Sequence, residues 1–168
     1  MAMLTAALLA IGLAACSSNS APTTTTTAVA TTTTTLPSLS SSKAAIDRVY
    51  TILFDLANPA LAPKLAVIQN GSALESAMKA ALKSALAKLA TGASVSAVTV
   101  EQGAACKGEF LPSPCAKVTY SIVGTANKVL LGNSIGFAIY QQAKWLVSKA
   151  TICTLLSLEN GGKQPPGC

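Results

Sequence analysis

The sequence predicts an α+β domain. Its N-terminal helices pack on the concave face of one curved antiparallel sheet of about four strands, and a short helix closes the chain. Three observations predict this. Apolar residues recur at helical spacing from Lys43 to Leu89, and the period then switches to two between Ser94 and Lys149. Nothing from Met1 to Ser42 carries a charged side chain, so the foldable body is confined to residues 43–168.

Each element has its own signal. Ile46, Val49, Tyr50, Leu53 and Leu56 mark an amphipathic helix over Lys43–Ala57, with Ser42 as its N-cap. Asn58-Pro59 and Pro63 interrupt it, and a short segment from Lys64 to Ile68 leads to an Asn70-Gly71 turn. Ser72-Ala73-Leu74-Glu75 then reads as a capping box. In the helix it opens, Leu74, Met78, Leu82, Leu86 and Leu89 line one face, and Glu75 and Lys79 form an i,i+4 pair opposite. Gly92 reads as the residue that ends it. Strands follow over Ser94–Gln102, Ala116–Gly124, Asn133–Gln142 and Lys144–Lys149. Val118, Tyr120 and Ile122 share one face of the second strand, and Ile135, Phe137 and Ile139 share one face of the third. Ala126-Asn127 and Leu131-Gly132-Asn133 read as turns, and Ala150–Leu158 as the last helix.

The N-terminus carries an address. Residues 3–15 form an apolar stretch of signal-peptide length, short for a membrane span. It ends in Leu13-Ala14-Ala15-Cys16, which resembles a bacterial lipobox. Small side chains admit the backbone to a peptidase cleft, and only a thiol is alkylated to a stable thioether bearing diacylglycerol. Residues 1–15 are therefore expected to be a lipoprotein signal and Cys16 the lipid-bearing first residue of the mature chain. The expected location is the extracytoplasmic face of the cell membrane, with palmitate-type acyl chains as the anchor. Residues 16–42, the lipidated cysteine followed by a Thr- and Ser-rich stretch with no periodicity, read as a disordered tether. Fully extended it would reach about 85 Å, and as a flexible coil about 30 Å.

Composition excludes more function classes than it admits. With 12 basic and 6 acidic residues the net charge is +6, but the lysines are dispersed, Arg48 is the only arginine and aromatics are scarce. A nucleic-acid surface needs clustered basic residues with stacking aromatics, so nucleic acid is not an expected partner. The chain has no histidine, which removes Ser-His and Cys-His nucleophiles and histidine base catalysis together. No nucleophile elbow, phosphate-binding glycine loop or dinucleotide fingerprint occurs, and no catalytic residue, metal or cofactor is expected. Tyr50 and Tyr120 are the candidate ligand contacts if the interior is hollow, with core packing as the alternative for each. Besides Cys16 there are Cys106, Cys115, Cys153 and Cys168. An even number in an exported chain favours two disulfides over a zinc site. Three pairings are open. Cys106 and Cys115 flank one Pro/Gly-rich connection, and a Cys153–Cys168 bridge would tie the tail to the final helix.

Trp145-Leu146-Val147-Ser148-Lys149-Ala150-Thr151, followed by Leu155-Leu156, resembles the closing strand-to-helix segment of the mycobacterial low-molecular-weight secreted antigen family. The entry helix, the Asn58-Pro59 break and the Gln69-Asn70-Gly71 turn stand in that family's order, so the resemblance spans about Ser42 to Leu158. It implies a cystatin-like or nuclear-transport-factor-like cone and an exported actinobacterial setting, and it carries over no catalytic residues. The lipobox, the threonine tether and the four body cysteines set this chain apart from the family pattern.

The first functional expectation is a non-catalytic surface module, anchored to the membrane by its diacylglycerol and engaging a protein or cell-wall partner. The second is a carrier in which the cone encloses a small apolar ligand or lipid, which an unfilled apolar cavity of several hundred Å³ would favour. A cone-type hydrolase or isomerase comes third, because it needs a buried acid or tyrosine with a partner.

Overall fold

The structure is a computed structural model describing residues 37–109 and 111–168. The signal segment, Cys16 and the tether up to residue 36 lie outside the described residues. Helices α1 (Leu39–Phe54), α2 (Leu61–Ala66) and α3 (Glu75–Ala81) come first. Strands β1 (Ala90–Glu101) and β2 (Cys115–Gly124) follow, separated by the one-turn helix α4 (Ala104–Gly108). Then come β3 (Val129–Gln141), β4 (Lys144–Val147) and α5 (Lys149–Glu159). The strands form one antiparallel sheet in the order β1-β2-β3-β4, curled into a half-barrel. The α+β class and the closing helix are as the sequence indicates.

The helices differ from expectation where side chains compete for the backbone. Helix α1 begins at Leu39 and not Lys43, because Ser38 supplies the cap, its Oγ accepting from Ser41 N at 3.3 Å. Ser42, expected as the cap, is instead buried inside the first turns. The capping box does not form. Asn70 takes a left-handed φ of 52°, and Gly71–Leu74 coils into a 3₁₀ turn ahead of α3. Ser72 therefore lies within helical backbone, not in the extended conformation a cap requires. The Glu75 carboxylate turns to Lys79 Nζ at 2.6 Å, the pair the sequence predicts. A Cβ at Gly71 would overlap the Leu65 carbonyl, which explains a glycine in this turn.

Helix α3 ends at Ala81 and does not run on to Leu89. Ser84 Oγ accepts from Ala87 N at 3.1 Å, a local side-chain bond that draws the chain into turns. Ala87 and Ala90 become the buried residues, and Leu89, expected on the apolar face, is 59% exposed. Gly92 caps nothing. It lies in β1 where the pairing with β2 slips between Ala90 and Gly92. Pro63 is accommodated in the first turn of α2, where its missing N–H costs nothing. Lys64 on α2 is fully buried, and its Nζ donates to the Asp55 carbonyl at 2.6 Å. Its ammonium sits at the C-terminal end of α1, where a cation suits the helix dipole. Burial lowers its pKa, and Asp55 opposes the shift.

The sheet has two unequal faces. Val118, Tyr120 and Ile122 of β2 are buried together against α1, as their alternation indicates. On β3 the helix-facing positions are small, Gly136 and Ala138. Ile135, Phe137 and Ile139 do share a face, but it is the opposite one: Ile139 joins Cys106, Leu111, Cys115 and Leu146 in a second cluster, and Ile135 is 58% exposed. Room on the helix side belongs to aromatics. A Cβ on Gly136 would stand 2.7 Å from the Tyr50 hydroxyl, 2.8 Å from Thr151 Cγ2 and 3.0 Å from Tyr120 Cε1. Gly136→Ala should therefore destabilise the domain by about 1–3 kcal/mol through overpacking, read as a lowered midpoint in urea.

The four body cysteines form two disulfides, Cys106–Cys115 and Cys153–Cys168, with Cα atoms 5.7 and 5.6 Å apart. The first closes the β1–β2 connection over the second cluster, and the second returns the chain end to α5.

Candidate functional site

The segment Trp145–Thr151 is a joint of the fold. Trp145 is buried and packs on Tyr140, with ring centroids 5.3 Å apart. Val147 pairs with Ala138 on one side. On its other side Val147 N donates to Val67 O at 2.8 Å and Gln69 N donates to Val147 O at 2.9 Å, which covers the sheet edge. Ser148 caps α5, its Oγ accepting from Thr151 N at 3.2 Å. Gln69 Oε1 accepts from Lys149 N at 3.1 Å. The Gln69-Asn70-Gly71 turn and the strand-to-helix segment, far apart in sequence, thus brace each other.

Tyr50 and Tyr120 meet inside the domain. Their ring centroids are 4.9 Å apart, and Phe54 stacks on Tyr120 at 5.4 Å. Both tyrosines are fully buried. The Tyr50 hydroxyl donates to the Phe137 carbonyl at 3.3 Å, and Phe137 N donates to Thr151 Oγ1 at 2.7 Å. Burial, reinforced by Tyr120 alongside, holds the Tyr50 hydroxyl above the usual tyrosine range, with the Thr151 hydrogen bond pulling the other way. Burial alone pushes Tyr120 up to about 12. Both stay protonated at neutral pH. Among the described residues, neither lines the two clefts described below, and both pack in the main core, the alternative open for each from the sequence. Tyr50→Phe should cost about 0.5–1.5 kcal/mol in a urea titration.

The open space lies beyond them. A cleft of about 320 Å³ is bounded by α1, α3, the β2–β3 end of the sheet and α5. Its wall is aliphatic: Leu53 and Leu56 at the end of α1, Met78 and Ala81 on α3, Leu86, Ile122 on β2, Leu130 and Leu131 on β3, and Ile152, Leu155 and Leu156 on α5, with Phe54 at its base. Leu158 and Glu159 stand at its rim on the last turn of α5. Its volume falls at the lower end of the range of small-molecule sites.

A second cleft of about 300 Å³ adjoins it and shares Ala81, Leu156 and Glu159 with the first. Its lining is more polar, with Ser76, Ser84 and Asn160, and Pro165-Pro166 form one wall. That wall is held by the Cys153–Cys168 disulfide. Glu159 bridges the two clefts, its Oε1 accepting from Ser84 Oγ at 3.2 Å. Partial burial raises its carboxyl pKa, and the Ser84 hydrogen bond offsets part of the rise. Among the described residues, no lysine or arginine lines either cleft. Sequence reasoning gave Glu159 and Ser84 no role, because they are 75 positions apart and only the fold brings them together.

The sequence model of one family, described as low molecular weight antigen MTB12, C-terminal domain, matches residues 39–163. No curated protein matches the chain, and no solved structure matches it.

Proposed function

The chain belongs to the low molecular weight antigen MTB12 family through its C-terminal domain, and from that premise we propose that it is a non-catalytic binding module of the cell envelope, anchored through Cys16, whose apolar cleft holds an aliphatic chain. The observation that carries the reading is the cleft of about 320 Å³, aliphatic on nearly every side and open at a rim on α5. A site of that size with an apolar wall and one polar group at its edge matches the usual anatomy of a site for an apolar ligand. The lack of histidine supports a role in binding over catalysis. The buried tyrosines fit the same role, because they pack against each other and against Phe54 as core aromatics. The proposed address follows from the lipobox-like Leu13-Ala14-Ala15-Cys16 and the threonine tether.

The test is a fluorescence titration of the delipidated full-length protein with diphenylhexatriene, an uncharged apolar probe. Saturable enhancement with a stoichiometry near one is the expected result. A linear response no greater than that of a protein without a cleft would overturn the reading. The interaction-module expectation remains as a second reading, favoured by the apolar Leu89, Val129 and Leu158, which are 59, 57 and 67% exposed.

A further inference from the structure

We infer that the cleft takes a single-chain amphiphile whose head group donates hydrogen bonds, a hydroxyl or an ammonium, and that Glu159 is the residue that receives it. This rests on the reading of the cleft as an aliphatic-chain site and names the chemistry of the other end of the ligand. The apolar cleft and its more polar neighbour meet at Ala81, Leu156 and Glu159, so a chain seated in the first presents its head to the second. At that junction stands one carboxylate, already accepting from Ser84 Oγ at 3.2 Å. A carboxylate has further lone pairs to offer and no proton to give, so it selects donors.

Charge points the same way. The protein carries 12 basic residues against 6 acidic ones, yet the lining of both clefts holds a carboxylate and, among the described residues, no base. A fatty-acid carboxylate or a phosphate head would meet Glu159 with no cation in either lining, among the described residues, to offset the repulsion. A hydroxyl or ammonium head would find an acceptor, and burial of the chain beside it would strengthen that contact. Glu159 sits on the exposed last turn of α5, so it can be changed without disturbing the core.

Three ligands with the same twelve-carbon chain test this by displacing diphenylhexatriene from the full-length protein: dodecylammonium, monolauroylglycerol and dodecanoate. Dodecylammonium and monolauroylglycerol should displace the probe at concentrations at least about tenfold lower than dodecanoate, a difference of about 1.4 kcal/mol. Glu159→Gln should collapse the gap between dodecylammonium and dodecanoate. Equal or tighter binding of dodecanoate would overturn the head-group assignment while leaving the cleft reading in place. So would a Glu159→Gln protein that keeps the wild-type preference. Failure of all three ligands to displace the probe would overturn the cleft reading, and this inference with it.

Discussion

A protein carrying Cys153→Ser and Cys168→Ser is expected to lose about 3 kcal/mol of stability, the entropy that a crosslink closing a loop of this length removes from the unfolded chain. The bridge spans 15 positions, from the middle of α5 to the last residue. The loss should appear as a lowered urea midpoint, with a slope that rises as the unfolded chain, freed of its crosslink, exposes more surface. A second consequence is local. The tail between the two cysteines carries Pro165 and Pro166, which wall the polar cleft beside Glu159. Without the bridge that wall is released, and the preference for donor head groups should fall even in protein that is still fully folded. Removing Cys106 and Cys115 instead opens a loop of sequence separation 9, worth about 2.5 kcal/mol. That bridge lies with Leu111, Ile139 and Leu146 on the other face of the sheet, so ligand preference should not change.

Ala81→Trp should abolish binding with little effect on folding. Ala81 is a partly exposed residue at the end of α3 and lines both clefts. An indole there projects into open space and not into packed core, so the overpacking penalty of a closed site does not apply. Stability should stay within about 0.5 kcal/mol of the parent, while the occupied volume displaces the chain. The affinity for diphenylhexatriene should drop at least about tenfold, or about 1.4 kcal/mol. Retained binding with an unchanged melting curve would move the site elsewhere on the domain.

The order of elements was legible because periodicity is a local property. The run from Ile46 to Leu53 and the alternation Val118, Tyr120, Ile122 record which side of each element is buried, and both faces are where their spacing puts them. What failed was local chemistry with two outcomes. Ser72 and Glu75 spell a cap, but Asn70 and Gly71 set a 3₁₀ turn first. Leu82, Leu86 and Leu89 continue a helical stripe, yet the Ser84 side chain breaks it. On β3 the large apolar residues share a face, as their spacing indicates, but the helix-facing side is marked by Gly136 and Ala138, because the aromatics of α1 and β2 fill the space that small residues leave. The family resemblance read from Trp145–Thr151 holds, and its reason is structural: those residues join β4, the Gln69 turn and α5. The cleft was only partly legible. Leu130 stood beside an expected turn and Leu131 within it, yet Leu131-Gly132-Asn133 continues β3, and the place of both leucines facing α5 across the cleft depends on a strand that starts at Val129. Glu159 had no sequence signal at all, being one acid near the end of a helix.

The most direct test of a chain-holding cleft is native mass spectrometry of the protein extracted gently, without reduction, from the membranes of an actinobacterial host. The expected result is a domain that carries a noncovalent mass of one aliphatic amphiphile, lost on collisional activation and absent from Ala81→Trp prepared in the same way. A wild-type protein that emerges empty, or an adduct retained equally by Ala81→Trp, would contradict it.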